Sequence, residues 1–391
     1  MTEAVIVAAC RSAIGTAYKG TLRNTPAPDL AESIIGSLVE RAGLDPALYD
    51  DVVFGEVQQG GGNIARHAAV RAGLTSVPGL AAQRQCASSL STISMAAAGI
   101  LAGMDQAVIA GGVESASTAP GLRQRVWGTA DWDERWMPPS HPNTVEAPNR
   151  DMSITVGWNT AAEYGISREQ MDAWALRSHR RAVAAIDEGR FTDEIVPIKA
   201  ARSDDSVVMF DTDEHPRRDT SLERLASLTV LHPEIEGFSI TAGNSSGIND
   251  AAAAVAVTSA SMAATHSLTP LAYVRAWAAV GVDPARTGSA PIYAIEKTLR
   301  RAGRRLQDID LFEINEAFAS VPIATAKKLG ISEEIINVSG SGCSLGHPVA
   351  ASGARMITTL INDLRRTGGR TGIATMCAGG GMGAAVLIEL A

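Results

Sequence analysis

The sequence predicts a layered α/β fold built from two similar halves, with a long insertion between them. Three observations carry this prediction. Short apolar runs alternate with amphipathic stretches toward both ends of the chain, the pattern of sheets covered by helices. The same 32-residue interval separates Phe54 from Cys86 and Phe312 from Ser344, and each interval opens in a similar segment, DDVVFGEV and DIDLFEIN. Between about Ser115 and Gly243 the alternation breaks down and the chain turns irregular and polar.

Taken in order, Ala4–Cys10 (AVIVAAC) reads as a buried strand. Asp29–Ala42 has helical spacing, with Gly43 as its stop. Asp51–Val57 is strand-like, Cys86–Ala102 helical, and Gln106–Gly111 a strand. The middle segment gathers Trp127, Trp132 and Trp136 beside Pro138, Pro139, Pro142 and Pro148. It also holds one long helix, from a Ser167–Gln170 capping box to about Glu188. Loops of this length tend to be functional, so the segment is expected to lie over the core. Alternation then resumes. Asp310–Ile314 reads as a strand, Glu316–Leu329 and Pro348–Leu364 as helices, and Gly372–Cys377 as a strand. In both halves a small polar segment opens an Ala-rich helix, and a strand ending in Gly-Gly follows (Gly111-Gly112 and Gly379-Gly380). The intervals to these glycines differ, 25 residues from Cys86 but 35 from Ser344.

Composition sets the functional class. A chain of 391 residues fits two or three domains, and its core needs no disulfide or metal. With 46% hydrophobic and 19% charged residues it reads as an ordinary globular protein. Thirty-four basic against 42 acidic residues give a net charge of -8, which argues against a general nucleic-acid binder. The four cysteines, Cys10, Cys86, Cys343 and Cys377, show no C-x-x-C spacing, so no metal site is expected. Reduced thiols and a cytoplasmic location are the expectation. The first ten residues lack a basic segment, so no signal peptide is expected. No run approaches the roughly 18 apolar residues of a membrane span.

Four places could carry chemistry. Cys86 (QRQCASSLSTISMAAAG) lies where a strand-like approach gives way to a helix. A thiol at a helix N-terminus feels the positive end of the dipole, which lowers its pKa. Its other reading is a small buried hydrophobe. His347 (SGCSLGHPVAASGAR) is expected at a strand-to-helix corner, with Pro348 in the first helical position. Most lone histidines are structural, but the repeat gives this one a mirror position near Cys86. Cys377 (TMCAGGGMGAA) ends an apolar strand, and the glycines after it could offer backbone N–H groups to an oxyanion. They do not form the G-x-G-x-x-G of a dinucleotide loop. Asn315 (INEAF) ends another strand, where it could hold a water or a substrate carbonyl, or simply cap a helix.

Together these segments resemble the thiolase family. IVAACRSAIGT, the cysteine opening the first-half helix, TAGNSSGINDAAAA, INEAF, LGHPVAASGAR and CAGGGMG follow the family's order and approximate spacing. The resemblance spans essentially the whole chain. It implies a five-layered αβαβα core of two similar halves with an inserted loop domain. Residues 1–118 would form the N-terminal half, completed by about 244–268. Residues 119–243 would form a loop domain that binds coenzyme A, and 269–391 the C-terminal half. The implied activity is acyl-CoA:acetyl-CoA C-acyltransfer, either thiolytic cleavage of 3-oxoacyl-CoA or Claisen condensation of acetyl-CoA.

The roles implied are specific. Cys86 is the acyl-accepting nucleophile, and His347 takes its proton and then stabilises thioester oxygen charge. Cys377 is the acid/base at the α-carbon. Asn315 holds a water in one oxyanion hole, and the N–H groups of Cys86 and Gly379 form the other. Ser246 and Arg217 match positions that contact coenzyme A. Substrates would be acetyl-CoA, 3-oxoacyl-CoA and CoA, with no metal or other cofactor, and with no nucleic-acid or membrane partner. Relatives are dimers or tetramers, and a homotetramer is the expectation. Two other readings are a ketoacyl-synthase-like condensing enzyme, which generally has His or Asn where Cys377 stands, and a catalytically silent scaffold. The sequence departs from the family in three places. Ala87 follows the nucleophile where Gly is usual, and Cys343-Ser344 fall in the segment before Leu345-Gly346-His347-Pro348. Asp151-Met152-Ser153 replaces a His-Met-Gly, which implies a different acyl-pocket wall.

Overall fold

Strand β1 (Ala4–Ser12) is buried on both faces, and this explains its unbroken apolar run. On one face Val5 and Val7 pack with helices α1 (Ala27–Ala42) and α2 (Ile64–Arg71). On the other, Ala4 and Ile6 enter a separate core. The computed structural model of the chain describes residues 2–134, 136–201 and 206–391. The first half continues with β2 (Asp51–Gly55), β3 (Gly79–Ala82), α3 (Ser88–Leu101), β4 (Ala107–Ser115) and, after the insertion, β5 (Asn249–Ser259). The insertion holds α4 (Arg168–Asp187), whose capping box is formed by Ser167 and Gln170 as expected. Arg135 and residues 202–205 of the insertion lie outside the described residues. The second half comprises β6 (Ala272–Gly281), α5 (Ala290–Ala302), β7 (Leu311–Ile314), α6 (Ser320–Leu329), α7 (Ser352–Thr367), β8 (Thr371–Ala378) and β9 (Met382–Leu390).

The main sheet runs β7-β8-β9-β6-β1-β5-β4-β2-β3. Read outward from its centre, β1-β5-β4-β2 and β6-β9-β8-β7 are the same arrangement twice. β2 pairs parallel with β4 on one side and with β3 on its outer side, and in the second half a single parallel bridge, Phe312 to Ile336, takes the place of β3. The halves meet where β1 pairs antiparallel with β6, Val5 opposite Tyr273 and Ile6 opposite Ala272.

Three hydrophobic cores fix the layering. The first lies between β1 and the helices α1 and α2. The second joins Ala294 and Ile295 of α5 to Ile373 of β8 and Leu387 of β9, and also takes in Trp174 of α4. The third lies between the two half-sheets and contains α3 and α7, with Leu90, Ile93, Ile357 and Leu360 all buried. The order is helices, sheet, helices, sheet, helices, the five-layered αβαβα fold expected. Each buried Leu or Ile in the central layer contributes roughly 1.5–3 kcal/mol. Small residues let the central helices touch. A Cβ added at Gly353 would lie 2.5 Å from the Leu90 amide nitrogen.

Several boundaries differ from the sequence reading. The helix after Cys86 begins at Ser88, that after Asn315 at Ser320, and that after His347 at Ser352. In each case irregular backbone carries the polar residue, and the helix starts behind it. The two Gly-Gly pairs are not equivalent. Gly379-Gly380 follow the end of β8, whereas Gly111-Gly112 sit inside β4. A Cβ at Gly111 would meet the Ala253 carbonyl at 2.3 Å, and one at Gly112 the Ala350 carbonyl at 2.1 Å. The first pair serves close packing, which accounts for the unequal intervals.

One buried ion cluster ties β1 to the insertion. Arg11 Nε donates to Glu194 at 2.6 Å, and its two Nη groups donate to Asp213 at 2.8 Å each. Asp213 also accepts the Ile14 N–H, and Glu194 accepts from Thr359 and Asn362. Among the described residues no helix is long and apolar enough to cross a membrane.

Candidate active site

Because α3 and α7 meet at their N-terminal ends, the irregular segments in front of them face each other. Ser89 Oγ accepts the Ala354 N–H at 3.0 Å, which locks the two ends together. Cys86 lies before one helix and His347 before the other. Both line a single cavity of about 290 Å³, with Cys377, Gly379 and Ser246 also on its wall. Asn315 lies beside His347, its Nδ2 3.4 Å from either ring nitrogen.

Cys86 is held by a tight turn. Gln85 takes a left-handed φ of 47°, a conformation costly for a non-glycine residue and often found at functional sites. Ser88 closes the turn, donating to the Gln85 carbonyl at 2.6 Å and accepting the Arg84 N–H at 2.9 Å. Ala87 sits at φ −86°, which alanine adopts freely, so the substitution of Ala for Gly does not strain the turn. The sulfur lies in reach of two backbone N–H groups, its own and that of Gly379. Both favour the thiolate, but burial outweighs them and pushes the thiol pKa up to about 11. The lowered pKa expected from a helix terminus is therefore not found, because the second half of the fold closes over the sulfur. Burial raises the pKa of Cys377, and the neighbouring Cys86, when ionised, disfavours its ionisation further.

His347 is fixed on three sides. Its N–H donates to Asn249 Oδ1 at 3.0 Å, while Asn249 Nδ2 reaches the Gly15 carbonyl in the other half. Gly346 before it has φ 102°, and a Cβ there would lie 2.4 Å from Asn249 Oδ1, so only glycine fits. Nδ1 lies 2.6 Å from Ser352 Oγ, whose own hydrogen goes to the Pro348 carbonyl at 2.8 Å. Ser352 can then only accept from Nδ1–H, which leaves Nε2 as the basic nitrogen. Burial, with Arg355 nearby, lowers the ring pKa to about 3. Near neutral pH the pair is a neutral thiol and a neutral imidazole. Pro348 is not in the first turn of α7, which starts four residues later.

Asn315 is not a helix cap, since Ala319 precedes α6. Its Oδ1 is buried and has no partner among the described residues, so the side chain can accept from a ligand. Glu316 beside it accepts from Trp174 Nε1, Ser178 Oγ, Asn337 Nδ2 and the Cys343 N–H. That network anchors the Asn315 segment to α4. Cys343 is buried, with its S–H toward the Glu316 carbonyl, a packing position.

The structure does not bring Arg217 to this cavity. It lines a second cavity of about 430 Å³, with His179, His215 and Arg224. Burial and cationic neighbours lower both histidines to about 4. The cavities adjoin at His215, whose ring would meet a Cβ on Gly247 at 2.5 Å, and Gly247 lines the Cys86 cavity.

Sequence reasoning missed three residues. Ser352 and Asn249 orient His347, and both fall inside motifs already noted, LGHPVAASGAR and TAGNSSGIND. Glu114 also lines the cavity. It accepts from the Gln58 N–H, Gln59 Nε2 and the Ala350 N–H, and burial raises its pKa to about 7.

A thiol of pKa about 11 gains thiolate tenfold per pH unit well below that value, and the thiolate is the reactive form. Alkylation of Cys86 by iodoacetamide, followed by peptide mass, should therefore climb about tenfold per unit between about pH 7 and 9. A rate already flat above about pH 6 would mean a preformed thiolate–imidazolium pair and contradict this electrostatic picture.

Known proteins match this chain over its whole length. Residues 4–261 match the family described as thiolase, N-terminal domain, and residues 268–390 thiolase, C-terminal domain. An acetyl-CoA acetyltransferase of Pseudomonas aeruginosa is 39% identical, with 99% of each chain covered. A probable acetyl-CoA acetyltransferase of Escherichia coli is 40% identical, covering 100% of this chain and 99% of the relative. Among solved structures, the Bacillus anthracis acetyl-CoA acetyltransferase superposes with a TM-score of 0.92 at 39% identity. Human mitochondrial 3-ketoacyl-CoA thiolase does so at 0.90 and 33%, and both alignments cover 100% of this chain and 99% of the other. Identity at this level over both halves, with the same fold, establishes that the chain belongs to the thiolase family.

Proposed function

We propose that the chain is an acyl-CoA:acetyl-CoA C-acyltransferase that works through an acyl-Cys86 intermediate. The observation that carries the reading is the convergence of Cys86, His347, Cys377 and Gly379, drawn from both halves of the fold, on one cavity. In the cleavage direction His347 Nε2 takes the Cys86 proton as the sulfur attacks the 3-oxo carbon. The N–H groups of Cys86 and Gly379 stabilise the charge that develops on its oxygen. The C2–C3 bond breaks, and Cys377 gives its proton to the departing α-carbon. The Cys377 thiolate then takes the proton of an incoming CoA thiol, whose sulfur attacks the acyl-Cys86 carbonyl and releases the shortened acyl-CoA, and the Cys86 thiolate left behind recovers its proton from His347. His347 and Asn315 hold the thioester oxygen of the acetyl-CoA unit while enolate charge sits on it. The steps reverse for condensation, and no electrons are gained or lost overall. Splitting the transfer at Cys86 turns one hard step into two easier ones.

Coenzyme A is assigned to the path from Ser246 in the catalytic cavity to Arg217 in the adjoining one, with residues 119–243 as the domain that binds it. The guanidinium suits a phosphate group at the outer end. Intact protein mass after incubation with acetyl-CoA tests the reading, with an acetyl adduct on Cys86 as the expected result. No adduct on folded protein would sink it.

Replacing Cys377 by Ala should leave that adduct in place while lowering condensation and thiolysis by about 10²–10⁴-fold, the usual contribution of a positioned acid or base. The check is acetoacetyl-CoA formation from acetyl-CoA alongside the mass measurement. Retained condensation would remove Cys377 from its assigned role.

A further inference from the structure

Two residues of β4 reach the turn that follows His347. Side chains two apart on a strand share a face, and on this face Gly112 and Glu114 both meet Ala350. Gly112 makes room for the Ala350 carbonyl, which a Cβ there would approach to 2.1 Å. Glu114 Oε2 accepts the Ala350 N–H at 3.2 Å. Ala350 belongs to a turn of residues 348–351, closed by the Ala351 N–H on the Pro348 carbonyl at 3.0 Å. That turn separates His347 from Ser352, whose hydroxyl accepts from the imidazole Nδ1. Its seat on β4 therefore helps to set where Nε2 points.

The other carboxylate oxygen is held by the first half. Oε1 accepts the Gln58 N–H at 3.2 Å and Gln59 Nε2 at 2.8 Å. Gln59 cannot turn its amide oxygen inward instead, because the same Nε2 donates to the Ser115 carbonyl at 3.3 Å. All three partners are donors, so only a carboxylate without its proton satisfies them together. The side chain is 1% exposed, and a buried charge persists only where such bonds hold it. The mount is rigid as well, since β4 is paired with β2 on one side and β5 on the other.

We infer that Glu114 is a positioning residue for acyl transfer, its ionised carboxylate tying the turn behind His347 to the first half and so aligning the imidazole with Cys86. The inference rests on the acyltransferase reading above. Glu114 acts through His347, and two consequences separate this role from packing. One is a pH profile. Burial raises the Glu114 pKa to about 7, and the charge of Asp250 on β5 adds to the rise. The other titratable groups on the cavity wall are Tyr18, Cys86, His347 and Cys377. The ring of His347 stays neutral down to about 3, and the thiol of Cys86 up to about 11. An acid limb near neutrality therefore belongs to Glu114. Below about pH 7 its carboxyl takes a proton, an N–H loses its acceptor, and acylation slows. The second consequence is a split between two reactions of the same sulfur. The Glu114 charge opposes the Cys86 thiolate. Removing it favours a reaction that needs thiolate alone and slows one that needs the aligned imidazole.

The test is the rate of Cys86 acetylation by acetyl-CoA, read by rapid quench and intact mass, in the native protein and in Glu114→Gln. The native rate should fall about tenfold from about pH 8 to about pH 6. The variant should acetylate about 10–100-fold slower at about pH 8 and show no acid limb, since a misplacement of about 1 Å costs up to about 10²-fold. Its alkylation by iodoacetamide at about pH 8 should be no slower than in the native protein. Denaturant unfolding reports whether the variant is folded, and if it is not, the native profile alone decides. A native profile flat across this range overturns the role of Glu114, and so does an acid limb that survives in the folded variant. Variant acetylation within about twofold of the native rate at about pH 8 overturns it too. Equal losses of acetylation and alkylation in a folded variant would mean packing alone. In each of these cases the acyltransferase reading stands. If the folded native protein takes no acetyl group at any pH, both fall together.

Discussion

Cys86→Ala should abolish the acetyl adduct and lower turnover by a factor on the order of 10⁶, the cost of removing the nucleophile from a covalent catalyst. The expectation follows from how the site is built. Both backbone N–H groups that could stabilise an oxyanion reach the Cys86 sulfur itself, so the carbonyl of an acyl group on that sulfur falls beside them. Without the sulfur those donors have no covalent intermediate to act on, and direct transfer between two CoA thioesters is left uncatalysed. The change is small in volume and falls on the wall of the cavity, so the variant should fold. CoA release from 3-oxobutanoyl-CoA, alongside unfolding by denaturant, separates the two quantities. A loss of no more than about 10⁴-fold, within the range of a positioned acid or base, would show that another group carries the acyl chain.

Which residues share the cavity was largely legible in the sequence, and their electrostatics were not. Cys86, His347, Cys377 and Asn315 stand in motifs whose order and spacing point to one chemistry. Whether the thiol is acidic depends on what covers it, and the cover comes from residues hundreds of positions away. The helix reading put Cys86 at a helix terminus, but the structure places it before Ala87 and buries it under the second half, with the opposite effect on its pKa. The same cause shifted the helix starts. Helical periodicity was read through to Cys86, Glu316 and Pro348, yet each of these belongs to irregular backbone that aims the polar residue at the cavity. The duplicated topology was visible as the repeated interval from Phe54 and Phe312. The glycine pairs misaligned because one pair packs against Ala253 and Ala350 inside a strand, while the other begins a turn.

Arg11→Met should destabilise the fold by about 3–5 kcal/mol, the cost of leaving buried charge without its partner, against a total stability of about 5–15 kcal/mol. Arg11, Glu194 and Asp213 are all buried, and the guanidinium supplies hydrogen bonds to both carboxylates. Methionine fills much of the same volume but satisfies neither carboxylate. The defect should also depend on pH, and its sign follows from Glu194. Burial raises the pKa of this carboxyl even with Arg11 in place, and removing the cation raises it further. The folded variant then holds a proton that the unfolded chain gives up, so its stability falls as pH rises through the raised value. The gap to the native protein should be larger at about pH 8 than at about pH 5.5, read as the denaturant midpoint at unchanged slope. Adding Glu194→Gln and Asp213→Asn to Arg11→Met should narrow the gap at pH 8, because the buried groups are then neutral. A gap that is equal at both pH values, and unmoved by the added amides, would mean that Arg11 acts through packing alone.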